Sequence, residues 1–452
     1  MALRSSMRPP GVALRGYAAG VALVALAAAL GAAVAIGLAT VEQPAWIVLG
    51  GALALLGILA LAVARYEAAV ALGFLTFAVV HFEPAPSDGI FAVVIAVALV
   101  TGRFNLRNAP LGPAIGIAAF VCLNLLACVE VVDSARAAKF ISITIYLLVF
   151  ALWVPTWVRD RRRARTLVRI YLIVAAASAL VGTLALFLPL PGHNLLTAYG
   201  GTRARAFFKD PNVFGPFLVP AALILLQETF QPRLLRSGRL FKLTTLTILV
   251  AGVLFSYSRA AWLNLVVGAL VMGLLMTMRP GGAHRALAFA IALCVAAATV
   301  VASIEVTGQL SFLKERAHLQ TYDTQRFATQ SAGIALGERH PIGVGPGQFE
   351  VYEPIAAHST YVRALAEEGA AGFLVLVAIL FGTLLVAFRN AVRGWDTHGI
   401  ASTALLAAWC GILVNSFFLD TLHWRHLWLL AGLIWAARAA QASSKVGTGP
   451  LT

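Results

Sequence analysis

The residue types best suited to chemistry in this chain are arginines and histidines gathered in polar segments between apolar runs. Gly200-Gly201-Thr202-Arg203-Ala204-Arg205-Ala206-Phe207-Phe208-Lys209 brings three cations into ten residues. Arg203 and Arg205 are two apart, so an extended backbone points both guanidinium groups the same way. Asp210-Pro211 then reads as a helix start, Asp as the cap and Pro at the first helical position. Two arginine forks, the Lys209 ammonium and a positive helix end suit a phosphate at a membrane surface; pairing with lipid headgroups or an acidic loop is the alternative. In Ser256-Tyr257-Ser258-Arg259, Arg259 opens an apolar helix after a tight turn. A charge so close to hydrocarbon faces the protein interior or a wet cavity, or it snorkels to the interface. Arg326 and Arg339-His340-Pro341-Ile342-Gly343-Val344-Gly345 then precede His358-Ser359. An imidazole titrates near neutrality and is suited to accept a proton from a weak nucleophile, although a lone histidine can also be structural. With a helix starting near His358, the residues His358, Val362, Leu365, Gly369 and Gly372 share one face, and glycines there admit a neighbouring helix.

The elements that carry these residues follow from composition. The 452 residues include 34 Lys and Arg against 19 Asp and Glu, a formal charge of +15, yet only 12% are charged and 60% are apolar. A soluble globule has about twice that charged fraction, so a basic nucleic-acid-binding protein is excluded and a polytopic membrane protein indicated. Apolar stretches fall near 17–40, 45–64, 68–82, 89–102, 110–129, 138–157, 166–188, 212–228, 241–257, 260–278, 286–304, 370–388, 400–420 and 424–440. At about 20 residues per crossing the expectation is an all-α fold of about 12, and up to 14, transmembrane helices. The third and fourth stretches are short. Arg4, Arg8 and Arg15 precede the stretch at 17–40, which is too long for a cleaved signal and reads as a retained first helix.

If the loops alternate, one face carries 22 basic and 4 acidic residues and the other 12 and 15. The positive-inside rule makes the first cytoplasmic, with both termini, and turns residues 189–212 and 305–369 outward. The organisation expected is transmembrane helices over 1–304, a large outward loop over 305–369 built of packed helical pieces and ending in His358, and C-terminal helices with a cytoplasmic tail over 370–452. Cys122, Cys128, Cys294 and Cys410 lie within apolar runs and are expected as small buried hydrophobes. No internal repeat is present. A lipid or glycan transporter, the reading from another class, would carry broken or ionisable mid-membrane positions in repeated halves.

The order of these motifs is similar to that of the O-antigen ligase and polymerase superfamily of membrane glycosyltransferases. The elements are an arginine loop running into Lys209-Asp210-Pro211-Asn212, the Ser258-Arg259 turn with Leu263 four residues on, His340-Pro341-Ile342-Gly343-Val344-Gly345, and His358-Ser359 followed by Gly369 and Gly372. Motifs cover roughly 195–390, and the chain looks most like the lipopolysaccharide O-antigen ligases. The resemblance implies transfer of a glycan from undecaprenyl diphosphate to a sugar hydroxyl of lipid A core at the periplasmic face of the bacterial inner membrane, with a polymerase as the alternative. It implies His358 and Arg259 as catalytic residues and Arg203, Arg205, Lys209, Arg326, Arg339 and His340 as substrate-binding ones. The partners expected are the lipid-linked donor, the lipid A core acceptor and membrane lipids, with no nucleic acid. The outward loops hold no paired aspartates of the kind that bind a metal diphosphate, so neither metal nor other cofactor is expected.

Overall fold

The structure, a computed structural model, describes residues 45–278 except 82, 83 and 106–108, separate positions between 284 and 305, and residues 321–446. The stretch at 17–40, most of that at 286–304, and residues 306–320 of the loop expected to face outward lie outside the described residues. What is described is mostly helical. The chain divides into two units, one of residues Met1–Thr76 and Pro84–Arg107, the other of Phe77–Glu83 and Asn108–Thr452.

The first unit contains α1 (Ala45–Ala64), α2 (Tyr66–Leu75) and α3 (Pro86–Val100), which pack on one another. Phe74 and Phe91 meet edge to face, their ring centroids 4.9 Å apart. Ten residues of helix rise about 15 Å, half of a hydrocarbon core of about 30 Å. The stretch near 68–82, short for a crossing by its sequence, forms the helix Tyr66–Leu75.

The second unit holds α4 (Leu111–Ala127), α5 (Ser134–Trp157), α6 (Arg161–Phe187), the one-turn α7 (His193–Leu196), the two-residue strands β1 (Thr197–Ala198) and β2 (Arg203–Ala204), α8 (Pro211–Phe230), α9 (Arg239–Phe255) and α10 (Arg259–Thr277). After the undescribed segment come α11 (Thr321–Arg339), the one-turn α12 (Phe349–Tyr352), α13 (Thr360–Val392), α14 (Ser402–Asn415) and α15 (Arg425–Val446). Helix starts follow local chemistry. The side chains of Asp133, Asp160, Asp210, Ser258 and Ser359 each accept a backbone N–H from the first turn of α5, α6, α8, α10 and α13, satisfying donors that the helix cannot. Helix α8 is buried along nearly its whole length, against α6, α9, α10 and α14.

Among the described residues, six helices are long and apolar enough to cross a membrane, namely Leu111–Glu130, Ser134–Trp157, Arg161–Phe187, Pro211–Phe230, Arg259–Thr277 and Thr360–Val392. Loops expected on the basic face meet one another: Arg161 donates to the Arg233 carbonyl, Arg233 pairs with Asp396, and Glu228 accepts the backbone N–H groups of Arg233, Leu234 and Leu235. Within residues 321–369 lie α11, α12 and the first turns of α13. Cys122 and Cys294 are exposed in the isolated chain, and Cys128 and Cys410 partly so, which corrects the expectation of burial; all four are free.

Candidate functional site

The site is built around a break in α13. Gly369 sits inside it at φ 67, ψ −175, a conformation open essentially to glycine alone. A Cβ there would lie 2.2 Å from the Pro341 carbonyl oxygen, and one on Gly343 would lie 2.2 Å from that of Glu367. The Pro341–Gly345 segment thus lies directly against the kink, and the N–H groups of Val344 and Gly345 donate to the carbonyls of Ala366 and Glu367 at 2.9 and 3.0 Å. This replaces the expected role of Gly369 as a helix–helix contact. His358 is also not on the helix. Ser359 is its cap, and His358 precedes the cap at φ 48, so the proposed common face from His358 to Gly372 is not formed.

Within the turns before the kink, Arg363 is an ionic hub whose side chain is only 6% exposed. Its guanidinium reaches Glu367 Oε1 and Asp420 Oδ2, each at 2.8 Å, and pairs with Glu350. Glu367, fully buried, also accepts the N–H groups of Gly347 and Phe349 at 2.8 and 3.0 Å. Gln348 carries the network to α5, its Oε1 accepting the N–H groups of Val132 and Asp133. A buried arginine with fewer partners would be strongly destabilising. Here one side chain ties together the 343–350 segment, the first turns of α13 and the loop before α15.

These segments enclose a cavity of about 440 Å³. The five cations Arg136, Lys139, Lys209, Arg363 and Arg425 line it together with the three carboxylates Asp210, Glu350 and Asp420. Its histidines are His358, His423 and His426, and its apolar walls include Phe140, Phe208 and Trp424. The lining comes from loops near 80, 130–139, 208–213, 347–363 and 419–426, all assigned by alternation to one membrane face. A second cavity of about 460 Å³, lined by Tyr199, Gly200, Gly201 and Arg205, shares Lys209 and Asp210 with the first.

His358 faces Arg326, whose Nη2 lies 3.4 Å from Nδ1. A guanidinium only donates, so Nδ1 is the accepting nitrogen and the neutral ring carries its proton on Nε2. Gln330, one turn along α11, donates to the His358 carbonyl at 3.2 Å. Burial first, and then the Arg326 charge, push the His358 imidazole down to about 4, while Asp210 and Asp420 pull it the other way. At neutral pH the ring is an uncharged proton acceptor.

The other residues singled out in the sequence divide. Lys209 lines both cavities. Arg205 borders the second, donating to the carbonyls of Lys209 and Asn194. Arg203 is buried, with Nε donating to the Ser256 carbonyl at 2.8 Å and Nη2 to Asn212 Oδ1 at 3.0 Å. The two arginines therefore do not point the same way, because the tight β1–β2 hairpin turns one against the bundle and leaves the other at the loop edge. Arg259 opens α10 as expected, half-buried, and is not among the residues lining either cavity. Neither is Arg339, exposed at the end of α11. His340 pairs with Glu130 at 3.8 Å, also outside both linings.

Sequence reasoning missed Arg363 with Glu350, Glu367 and Asp420, and also Arg136, Lys139, Arg425, His423 and His426. The acidic pair before Gly369 was a visible signal: carboxylates at the start of an apolar helix require a partner, and Arg363 stands one turn before Glu367. For Asp420 and His423 the spacing carried no signal, since Arg363 and Thr144 stand 57 and 279 residues away.

Residues 244–377 match the family model Wzy_C, described as O-antigen ligase. The matched segment runs from α9 into the second half of α13 and includes Arg259, Arg326, Arg339, His340, His358, Arg363 and Glu367, but not the Arg203 loop or His423. No curated protein matches the chain.

Proposed function

With residues 244–377 an O-antigen ligase match, we propose that this membrane protein is a glycosyltransferase that moves a glycan from undecaprenyl diphosphate to a sugar hydroxyl of lipid A core, at the periplasmic face of the bacterial inner membrane. The observation that carries the reading is the charge of the cavity: its lining holds five cations against three carboxylates, an excess of positive charge that suits a negative diphosphate. A neutral histidine stands at the same cavity.

In the proposed reaction the acceptor oxygen attacks the anomeric carbon, and the bond from that carbon to the diphosphate oxygen breaks with its electrons leaving on the diphosphate. The hydroxyl proton passes to His358. Its accepting nitrogen is Nδ1, which faces Arg326 in the resting site, so donor binding has a defined task. The diphosphate draws Arg326 away, which exposes Nδ1 to the acceptor hydroxyl and puts the guanidinium where negative charge builds. Lys209, Lys139, Arg136 and Arg425 stabilise the same charge. Arg203, bonded to the Ser256 turn that precedes Arg259, holds the loop that presents Lys209.

The test supplies purified protein with undecaprenyl-diphosphate glycan and lipid A core, separately and together. Extension of lipid A core only when both are present is expected. Extension of one lipid-linked glycan by another would make the chain a polymerase, and extension of neither would remove the proposal.

A further inference from the structure

The second cavity, of about 460 Å³, stands beside the first and shares Lys209 and Asp210 with it. Its volume lies within the range of about 300–1,000 Å³ usual for small-molecule sites. An aromatic ring is displayed at its edge. Tyr199 follows β1 at φ 53, where a bulky side chain is rarely found, and its carbonyl accepts the Thr202 hydroxyl at 2.8 Å. The Arg203 guanidinium stands over the Tyr199 ring, 5.0 Å from its centroid. Arg203 is 3% exposed and Tyr199 63%, so the inner face of the ring rests on the arginine and the outer face stays open.

Around this ring the lining mixes donors with acceptors: the Asn194 amide offers both, Lys209 an ammonium and Asp210 a carboxylate. Arg205 donates from Nη1 and Nη2 to the carbonyls of Lys209 and Asn194, which commits it to holding the loop, and the Asp210 carboxylate repels a phosphate. A sugar ring has the matching chemistry. Its hydroxyls donate and accept along the edge, and its apolar C–H face suits the negative face of an aromatic ring. Because Lys209 and Asp210 belong to both cavities, a glycan whose reacting end occupies the first continues into the second.

We propose that the second cavity is a glycan subsite, in which a sugar removed from the bond being formed stacks on the open face of Tyr199. This rests on the glycosyl-transfer reading above and deepens it. The glycan is that of the donor or that of the acceptor, and the two are told apart by which Michaelis constant moves.

The test compares Tyr199→Ala, Tyr199→Leu and Tyr199→Trp with wild type, as full-length protein in nanodiscs. The substrates are undecaprenyl diphosphate carrying one sugar or several, and lipid A core. For a donor subsite, Tyr199→Ala and Tyr199→Leu should raise KM for the several-sugar donor about two- to tenfold more than for the single-sugar donor, the scale of one aromatic stacking contact. For an acceptor subsite, the same rise should fall on lipid A core and not on either donor. Tyr199→Trp, which keeps an aromatic face, should stay close to wild type in both cases. Equal rises for all three substrates would overturn the proposal, since a ring that only supports the loop or anchors it among headgroups acts on every substrate alike. No rise for any substrate, or Tyr199→Leu at wild-type values, would overturn it too. Wild-type protein that extends no acceptor overturns the transfer reading instead; the several-sugar glycan freed from its lipid is then titrated against the same nanodiscs, where weaker binding to Tyr199→Ala than to wild type supports the subsite and equal binding, or none, removes it.

Discussion

Replacing Arg363 by alanine is the most direct challenge to this account of the site. The change removes a cation whose side chain is 6% exposed and leaves Glu367, which is fully buried, without its countercharge, while Glu350 and Asp420 lose the same partner. Breaking a buried ion pair by removing one member costs about 3–5 kcal/mol, a drop of some hundred- to several-thousandfold in the ratio of folded to unfolded protein. Much of that cost is the stranded carboxylate. The double variant Arg363→Ala with Glu367→Gln should therefore recover a part, since the amide carries no charge and its oxygen still accepts from the N–H groups of Gly347 and Phe349. Arg363→Lys should be intermediate in stability, because an ammonium keeps the charge but cannot serve carboxylates on three sides of a planar fork. The assay is thermal unfolding in nanodiscs followed by tryptophan fluorescence, paired with glycan transfer. Arg363→Ala as stable as wild type, or a double variant no better than the single one, would refute the view of Arg363 as the hub.

Other outcomes follow from the same geometry. His358→Ala should keep membrane insertion and donor binding and lower transfer by about 10² to 10⁴ fold, with His340→Ala costing less; an inactive but folded His340→Ala beside an active His358→Ala would move the base to His340. Because His358 is pushed down to about 4, activity should persist in mildly acidic buffer and fall only as pH drops towards that value, whereas Arg326→Gln should move the acid limb of kcat/KM upward; an unmoved limb would deny the Arg326 contact. The same depressed pKa makes the unfolded chain bind more protons than the native one between about 4 and 6.5, so this histidine's contribution to stability is complete above that window and is lost as pH falls through it. Gly369→Ala should cost about 3 kcal/mol or more, from a glycine-only backbone conformation and a Cβ 2.2 Å from the Pro341 oxygen, read as lowered thermal stability with loss of transfer. Cysteine introduced at Arg162 should resist an impermeant reagent in intact spheroplasts, and labelling there would reverse the proposed orientation.

The sequence by itself determined the helical membrane class, because long apolar runs can satisfy their backbone in lipid only as helices or closed barrels and their length sets the crossing. It also determined the helix starts at Pro211 and Arg259, since a cap is a contact between residues two or three apart and needs no knowledge of the fold. What depended on tertiary structure was every contact across distant segments. The direction of Arg203 was decided by the Ser256 carbonyl, 53 residues on, against the local rule that residues two apart in a strand point alike. The break of α13 at Gly369 was decided by the Pro341–Gly345 segment lying against it, and at its start the Thr360 N–H donates to the carbonyl of Ser416, far along the chain. The pairing of Arg363 with Asp420 and of His423 with Thr144 joins residues 57 and 279 positions apart. Such contacts exist only once helices pack, because they are selected by burial, which leaves a charge or a ring proton no water to bind and so commits it to whichever partner the fold brings near.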